Sequence, residues 1–97
     1  MKYKVKNAME EIVEKYYDVV IEDFKDAVCT CEKCRADVIA LALNRLPPRY
    51  YVTEEGKIYS MLKSMESQFR VDVIAALAAA MFIVKNNQKH DKEFRDK

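Results

Sequence analysis

Glycine is almost missing from this sequence: Gly56 is the only one among 97 residues. A loop that cradles phosphates with successive backbone amides needs several glycines, so nucleotide binding of that kind is excluded. Histidine is as scarce, with His90 alone. One histidine and no nucleophile placed beside a base leave little to catalyse with, and the chain is expected not to be an enzyme. A strong charge of one sign is also lacking. The formal net charge is +1, which argues against an electrostatic grip on duplex nucleic acid. The continuously apolar run from Val73 to Val84 covers twelve residues. A bilayer needs about 20, so the run reads as a buried core helix and no membrane insertion is expected. The start, Met1-Lys2-Tyr3-Lys4-Val5-Lys6-Asn7, is basic but leads into no apolar stretch. It is not read as a signal peptide, and a cytoplasmic protein is expected.

What remains is helical. Half of the residues are hydrophobic (51%), enough to exclude general disorder, and the length suits one domain spanning residues 1–97 with a charged, fraying tail at 89–97. Val5, Met9, Ile12, Val13, Tyr16, Val20 and Phe24 recur at three- and four-residue steps, predicting an amphipathic helix from about Val5 to Phe24 with Asn7 as a candidate cap. A second helix runs from the cysteines to Leu46. Its stripe is Ala36, Ile39, Ala40, Leu43 and Leu46, widened by Val38, Leu41 and Ala42. Pro47-Pro48 stops it, and Arg49 to Val52 reads as short and extended. Thr53 caps the next helical segment. Ile58, Leu62, Met65 and Phe69, continued by Val73, Ala76, Leu77, Ala80, Met81 and Val84, form the stripe of a long helical region to about Asn87. About thirty residues is long for one globular helix, so two readings stand side by side: a break near Ser67-Gln68, or one unbroken helix that packs against a second subunit.

Cys29-Thr30-Cys31-Glu32-Lys33-Cys34 is the sharpest local feature. Three cysteines make an odd number, and their close spacing suits structural disulfides badly. Thiolates bind zinc tetrahedrally at about 2.3 Å, and one short turn can supply several corners. The cluster also falls where a helix begins, which favours thiolates. Buried cysteines can instead be small hydrophobes, but three interleaved with Thr, Glu and Lys fit that role poorly. A closed site wants a fourth ligand. His90 is one candidate; Asp91, a residue of a second subunit, or water are others, and a lone histidine in a charged tail is as readily a solvated side chain. Residues 29–53 also hold the one local basic excess, with Lys33, Arg35, Arg45 and Arg49 against Glu32 and Asp37. Asn44, Arg45, Arg49 and Tyr50 surround the rigid diproline corner, a set suited to phosphates and a stacked base. The plainer reading is a helix end with a favourable arginine and a loop packed down by tyrosine. Arg35 and Asp37 equally suit a surface ion pair.

The Cys-x-Cys-x-x-Cys turn followed by Arg35-Ala36-Asp37-Val38-Ile39-Ala40-Leu41-Ala42-Leu43-Asn44-Arg45-Leu46-Pro47-Pro48-Arg49-Tyr50 resembles the late-competence protein ComFB family, over nearly the whole chain. The resemblance implies an all-α, compact helical domain with a Cys-rich zinc turn, forming an intertwined or helix-packed homodimer with one structural zinc per subunit. It assigns Cys29, Cys31 and Cys34 as ligands. Some members complete the site with a fourth cysteine; this sequence has none, and His90 lies where a fourth ligand could return. The implied function is a non-enzymatic accessory or regulatory protein of the late-competence, DNA-uptake type. It would sense a cyclic dinucleotide such as cyclic di-GMP through Arg35, Asn44, Arg45, Arg49 and Tyr50. The alternative is a scaffold that meets competence-machinery proteins without a small-molecule ligand.

Overall fold

The computed structural model of the chain describes residues 2–87. Four α-helices make up most of it: α1 (Ala8–Val20), α2 (Glu32–Arg45), α3 (Glu54–Lys63) and α4 (Ser67–Asn86). Two residues on each side, β1 (Lys6–Asn7) and β2 (Tyr50–Tyr51), pair antiparallel, Lys6 opposite Tyr51 and Asn7 opposite Tyr50. The buried side chains of α1, α2 and α4 form a single core cluster that includes Met9, Ile12, Val13, Tyr17, Cys34, Val38, Ala42, Val73, Leu77 and Met81.

The first helix is shorter than its periodicity predicts. Asn7 is extended and caps α1, its Oδ1 accepting from the Met9 amide at 3.0 Å. The same oxygen accepts from the Arg49 amide at 2.9 Å, while the Ala8 amide donates to the Arg49 carbonyl at 2.8 Å. These bonds hold residues 6 and 7 in the β1–β2 ladder. Val5 is therefore outside the helix and 69% exposed, and Phe24 lies just past the 3-10 turn Ile21–Asp23. One side chain thus caps a helix and ties it to the diproline corner. Asn7→Ala is expected to cost about 1–2 kcal/mol, the upper range for a cap, read as a lower urea midpoint with an unchanged slope.

The buried face of α2 also differs from the predicted stripe. Cys34, Val38, Ile39 and Ala42 are buried, whereas Ala36 and Ala40 face solvent. Positions 34, 38 and 42 repeat at one-turn steps and turn inward beside Ile39, which leaves Ala36 and Ala40 on the outer side. On α3 the correction is larger. Ile58 and Leu62 are 56% and 62% exposed, as is Met65 just past the helix at 69%, and the buried positions are Ser60 and the C-cap Ser64. Tyr16 explains the inversion, because its hydroxyl donates to the Ser64 carbonyl at 2.7 Å and draws the small polar edge of α3 onto α1. Of the two readings of this region, the broken one holds. Met65 and Glu66 amides close tight turns onto Leu62 and Lys63 carbonyls, and α4 restarts with Arg70 donating to Glu66.

Helix α4 is longer than the apolar run within it. At 20 residues it is long and apolar enough to cross a membrane by length and composition. One face, Val73, Ala76, Leu77, Ala80, Met81 and Val84, is nevertheless buried in the core, as expected of the central core helix. Arg45, Leu46 and Pro47 at the end of α2 share a cavity with Asp72, Ala75 and Ala76. With its beginning beside the end of α2, α4 packs back along that helix towards the cysteines.

Candidate metal centre and anion-binding corner

Cys31 is the N-cap of α2. Its backbone is extended (φ −67°, ψ 164°) and its Sγ accepts from the Cys34 amide at 3.4 Å. The Arg35 amide donates to the Cys31 carbonyl at 2.9 Å and closes the first turn. A sulfur thus stands where serine or aspartate usually caps a helix. Cys29 and Cys31 are half-buried, Cys34 is buried, and none of the three is in a disulfide. Their Sγ atoms all lie within 4.8 Å of one another, close enough to be drawn onto three corners of a tetrahedron.

The electrostatics set Cys31 and Cys34 apart. The Cys34 amide bonded to its sulfur lowers the Cys31 thiol below its ordinary value, with a further contribution from the Cys29 side chain. Burial, together with its cysteine neighbours, pushes Cys34 up to about 12. A buried thiol with that preference becomes a thiolate when a cation replaces its proton. Tyr17 closes the inner side of the cluster, its hydroxyl pKa raised chiefly by burial. The Arg35 guanidinium stacks over the Tyr17 ring at 5.2 Å and pairs with Asp18 at 3.5 Å. Lys33 pairs with Asp37 at 2.8 Å.

Arg35 does not join the other arginines. It stands at the cysteine end of α2, ten residues and about 15 Å from Arg45, and is engaged by Tyr17 and Asp18. At the far end, the Arg49 guanidinium lies 4.7 Å from the Phe69 ring centroid. Arg49, Phe69, Leu46, Pro47 and Asp72 border a cavity of about 90 Å³. A neighbouring one of about 340 Å³ adds Arg45 and shares Leu46, Pro47 and Asp72. Together they form a groove with an arginine on each part and a carboxylate between. Asn44 is exposed and borders neither, and Tyr50 faces the opposite side of the ladder with Glu10, Glu11 and Glu14. Phe69 and Asp72 were not expected there. Nothing in the spacing announces them, since α4 reaches the corner only through packing. His90 lies outside the described residues.

Fold and site define a small helical protein with a three-thiol turn able to hold a metal ion at the start of its second helix. The comparisons with known proteins are specific. The family model of the late competence development protein ComFB matches residues 6–88. The competence protein ComFB of Bacillus subtilis (strain 168) is 31% identical over 80 residues, covering 81% of this chain and 76% of that protein. The solved structure of the late competence protein ComFB from Bacillus subtilis superposes with a TM-score of 0.79 at 24% identity, covering 89% of this chain and 93% of that one. The chain belongs to the late competence development protein ComFB family.

Proposed function

We propose that this chain is a zinc-stabilised, non-enzymatic regulatory module that works as a cytoplasmic homodimer and binds a cyclic dinucleotide at the diproline corner. The observation that carries the zinc reading is the convergence of three cysteine sulfurs within 4.8 Å at a helix N-terminus. The donor set fits the ion: thiolates are zinc's preferred soft ligands, and the helix amides and Arg35 offset their charge. His90 is proposed as the fourth ligand. It follows three residues after Asn87, and α4 packs back along α2 towards the cysteines, so the chain leaves α4 on the metal side of the fold. With four protein ligands the site is closed and structural.

For the ligand, Arg45 and Arg49 would bind phosphate oxygens. The Phe69 face, already used by the Arg49 guanidinium, would share that stack with a base. Asp72 adds a selectivity argument. A carboxylate accepts the paired N–H donors on the Watson–Crick edge of guanine, whereas adenine offers one donor beside an acceptor. Cyclic di-GMP is accordingly expected to bind more tightly than cyclic di-AMP. Calorimetry on zinc-loaded protein tests this. Arg49→Ala should weaken cyclic di-GMP binding about 10- to 100-fold, the worth of a charge-assisted hydrogen bond, and Asp72→Asn should erase the preference between the two. Absence of heat with either dinucleotide would remove the ligand from the reading.

A scaffold without a ligand is the second reading, favoured by apolar surface on two helices. Ile58, Tyr59, Leu62 and Met65 on α3, and Val71, Ile74 and Phe82 on α4, are exposed. The α4 row recurs at helical steps with Ala75 and Ala78 between its large members, and is proposed as the seam of the homodimer. The α3 face would then remain for a protein of the competence machinery.

A further inference from the structure

The N-terminal arm has a role in neither site. Lys2, Lys4 and Lys6 alternate with Tyr3 and Val5. All five are exposed, and the three lysines make no ion pair among the described residues. The arm leads into the pairing of Lys6 with Tyr51 and runs beside the start of α3. Between them lies an open groove of about 320 Å³, lined by the three lysines, Tyr3, Tyr51 and Thr53 among others. Two more charged groups border it. Lys57 is paired with Glu11 at 3.3 Å, which leaves Glu54 as the one carboxylate on the lining. On the other side of the same ladder, Tyr50 sits with Glu10, Glu11 and Glu14. Lys6 and Tyr51 border both sides, whereas Lys2, Lys4 and Lys57 border only the groove and the three glutamates only the other side, so a polyanion is favoured to approach from the groove.

We infer that this groove binds single-stranded nucleic acid through its sugar–phosphate backbone, with Tyr3 and Tyr51 offering stacking faces. Lys2, Lys4 and Lys6 all border the groove together with Tyr3, and residues two apart in a chain are at most about 7 Å from one another, close to the spacing of successive phosphates along a stretched single strand. Three ammonium groups on one lining, none of them in an ion pair among the described residues, suit a run of about three phosphates. Ring faces are reached only by unpaired bases, so a single strand is favoured over a duplex. An anionic membrane is the poorer match, because the lysines and tyrosines line a concavity rather than crown a convex apolar surface.

Fluorescence anisotropy with a labelled oligothymidine at low salt tests the proposal on the full zinc-loaded chain. Binding is expected to weaken with salt at a logarithmic slope of about −2, from three phosphates at roughly −0.7 each. Lys2→Ala/Lys4→Ala/Lys6→Ala should lose at least about tenfold in affinity and Tyr3→Ala about fivefold or more. The charge-matched Lys15→Ala/Lys25→Ala/Lys85→Ala should bind like the parent. All these positions are exposed, and unchanged melting temperatures will show that the fold persists. Arg49→Ala should leave oligonucleotide binding intact, which separates this groove from the dinucleotide corner. Three results overturn the inference: no anisotropy change with wild-type protein, equal losses in both lysine triples, or binding to phosphatidylglycerol vesicles with none to the oligonucleotide.

Discussion

Adding zinc to metal-free protein is expected to raise its melting temperature by roughly 15–30 °C. At free zinc about a thousand times its dissociation constant, linkage contributes about 4 kcal/mol, and a domain of this size gains about 4–8 °C per kcal/mol. Cys34→Ser should abolish the shift, because it removes the most buried ligand and leaves a hydroxyl where the pocket is lined by apolar neighbours. Cys31→Ser should also lose the metal while keeping the cap, since serine is the better capping residue; it separates loss of the ion from loss of the helix start. His90→Ala is expected to weaken binding if it completes the tetrahedron, and mass spectrometry of the metal content reads all three. The pH sense is defined by the thiols. Zinc must displace protons, above all the one on Cys34, so affinity falls as pH falls. Without metal the sign for Cys34 reverses. Its raised pKa stabilises the fold at pH values below the ordinary thiol range, and that contribution is lost as pH rises towards about 12. Cys31, shifted down, acts in the opposite sense: its contribution is present above the ordinary thiol value and is lost as pH falls through its lowered pKa. Metal-free protein with no response to zinc would sink the structural role.

Phe82→Asp is expected to convert the proposed homodimer to monomers. Phe82 is 60% exposed on α4, so the substitution costs the isolated subunit little. In a two-fold interface every residue is used twice. Two unpaired carboxylates at about 2–3 kcal/mol each weaken association by about 10³- to 10⁴-fold. Light scattering checks the mass, and an unchanged circular dichroism spectrum shows that the subunit survives. Leu62→Asp on α3 serves as the contrast and should leave the dimer intact. If Leu62→Asp dissociates it and Phe82→Asp does not, the seam lies on α3 and the outer face of α4 is the surface left for a partner.

Much of this protein was legible from its residues. The cysteine turn was, because thiol chemistry depends on residue type and on spacing that a single turn spans. The ends of α2 and the start of α3 were, because Pro47-Pro48 and Thr53 act on their own backbone. Whether α3 and α4 are one helix or two was left open by the residues, which offered Ser67-Gln68 only as the place for a break. Less local features were not legible. Phe69 and Asp72 entered the arginine groove through the packing of α4 against the end of α2, a contact between positions more than twenty residues apart. Arg35 left the arginine group for the same kind of reason: Tyr17 and Asp18 on α1 took its guanidinium.

The sequence by itself determined four things: a helical chain, a thiol cluster at a helix start, a stop at the diproline, and an apolar final helix. Each depends on interactions within a turn or two of chain, where residue identity decides the outcome. Tertiary structure alone decided which face of each helix is inside. On α2 the face of Cys34, Val38 and Ala42 went inside while Ala36 and Ala40 stayed out. The Tyr16 hydroxyl drew Ser60 of α3 and its C-cap Ser64 inward, leaving Ile58, Leu62 and Met65 outside. A helix with apolar residues on two faces can satisfy its periodicity in either orientation, and only its neighbours choose between them.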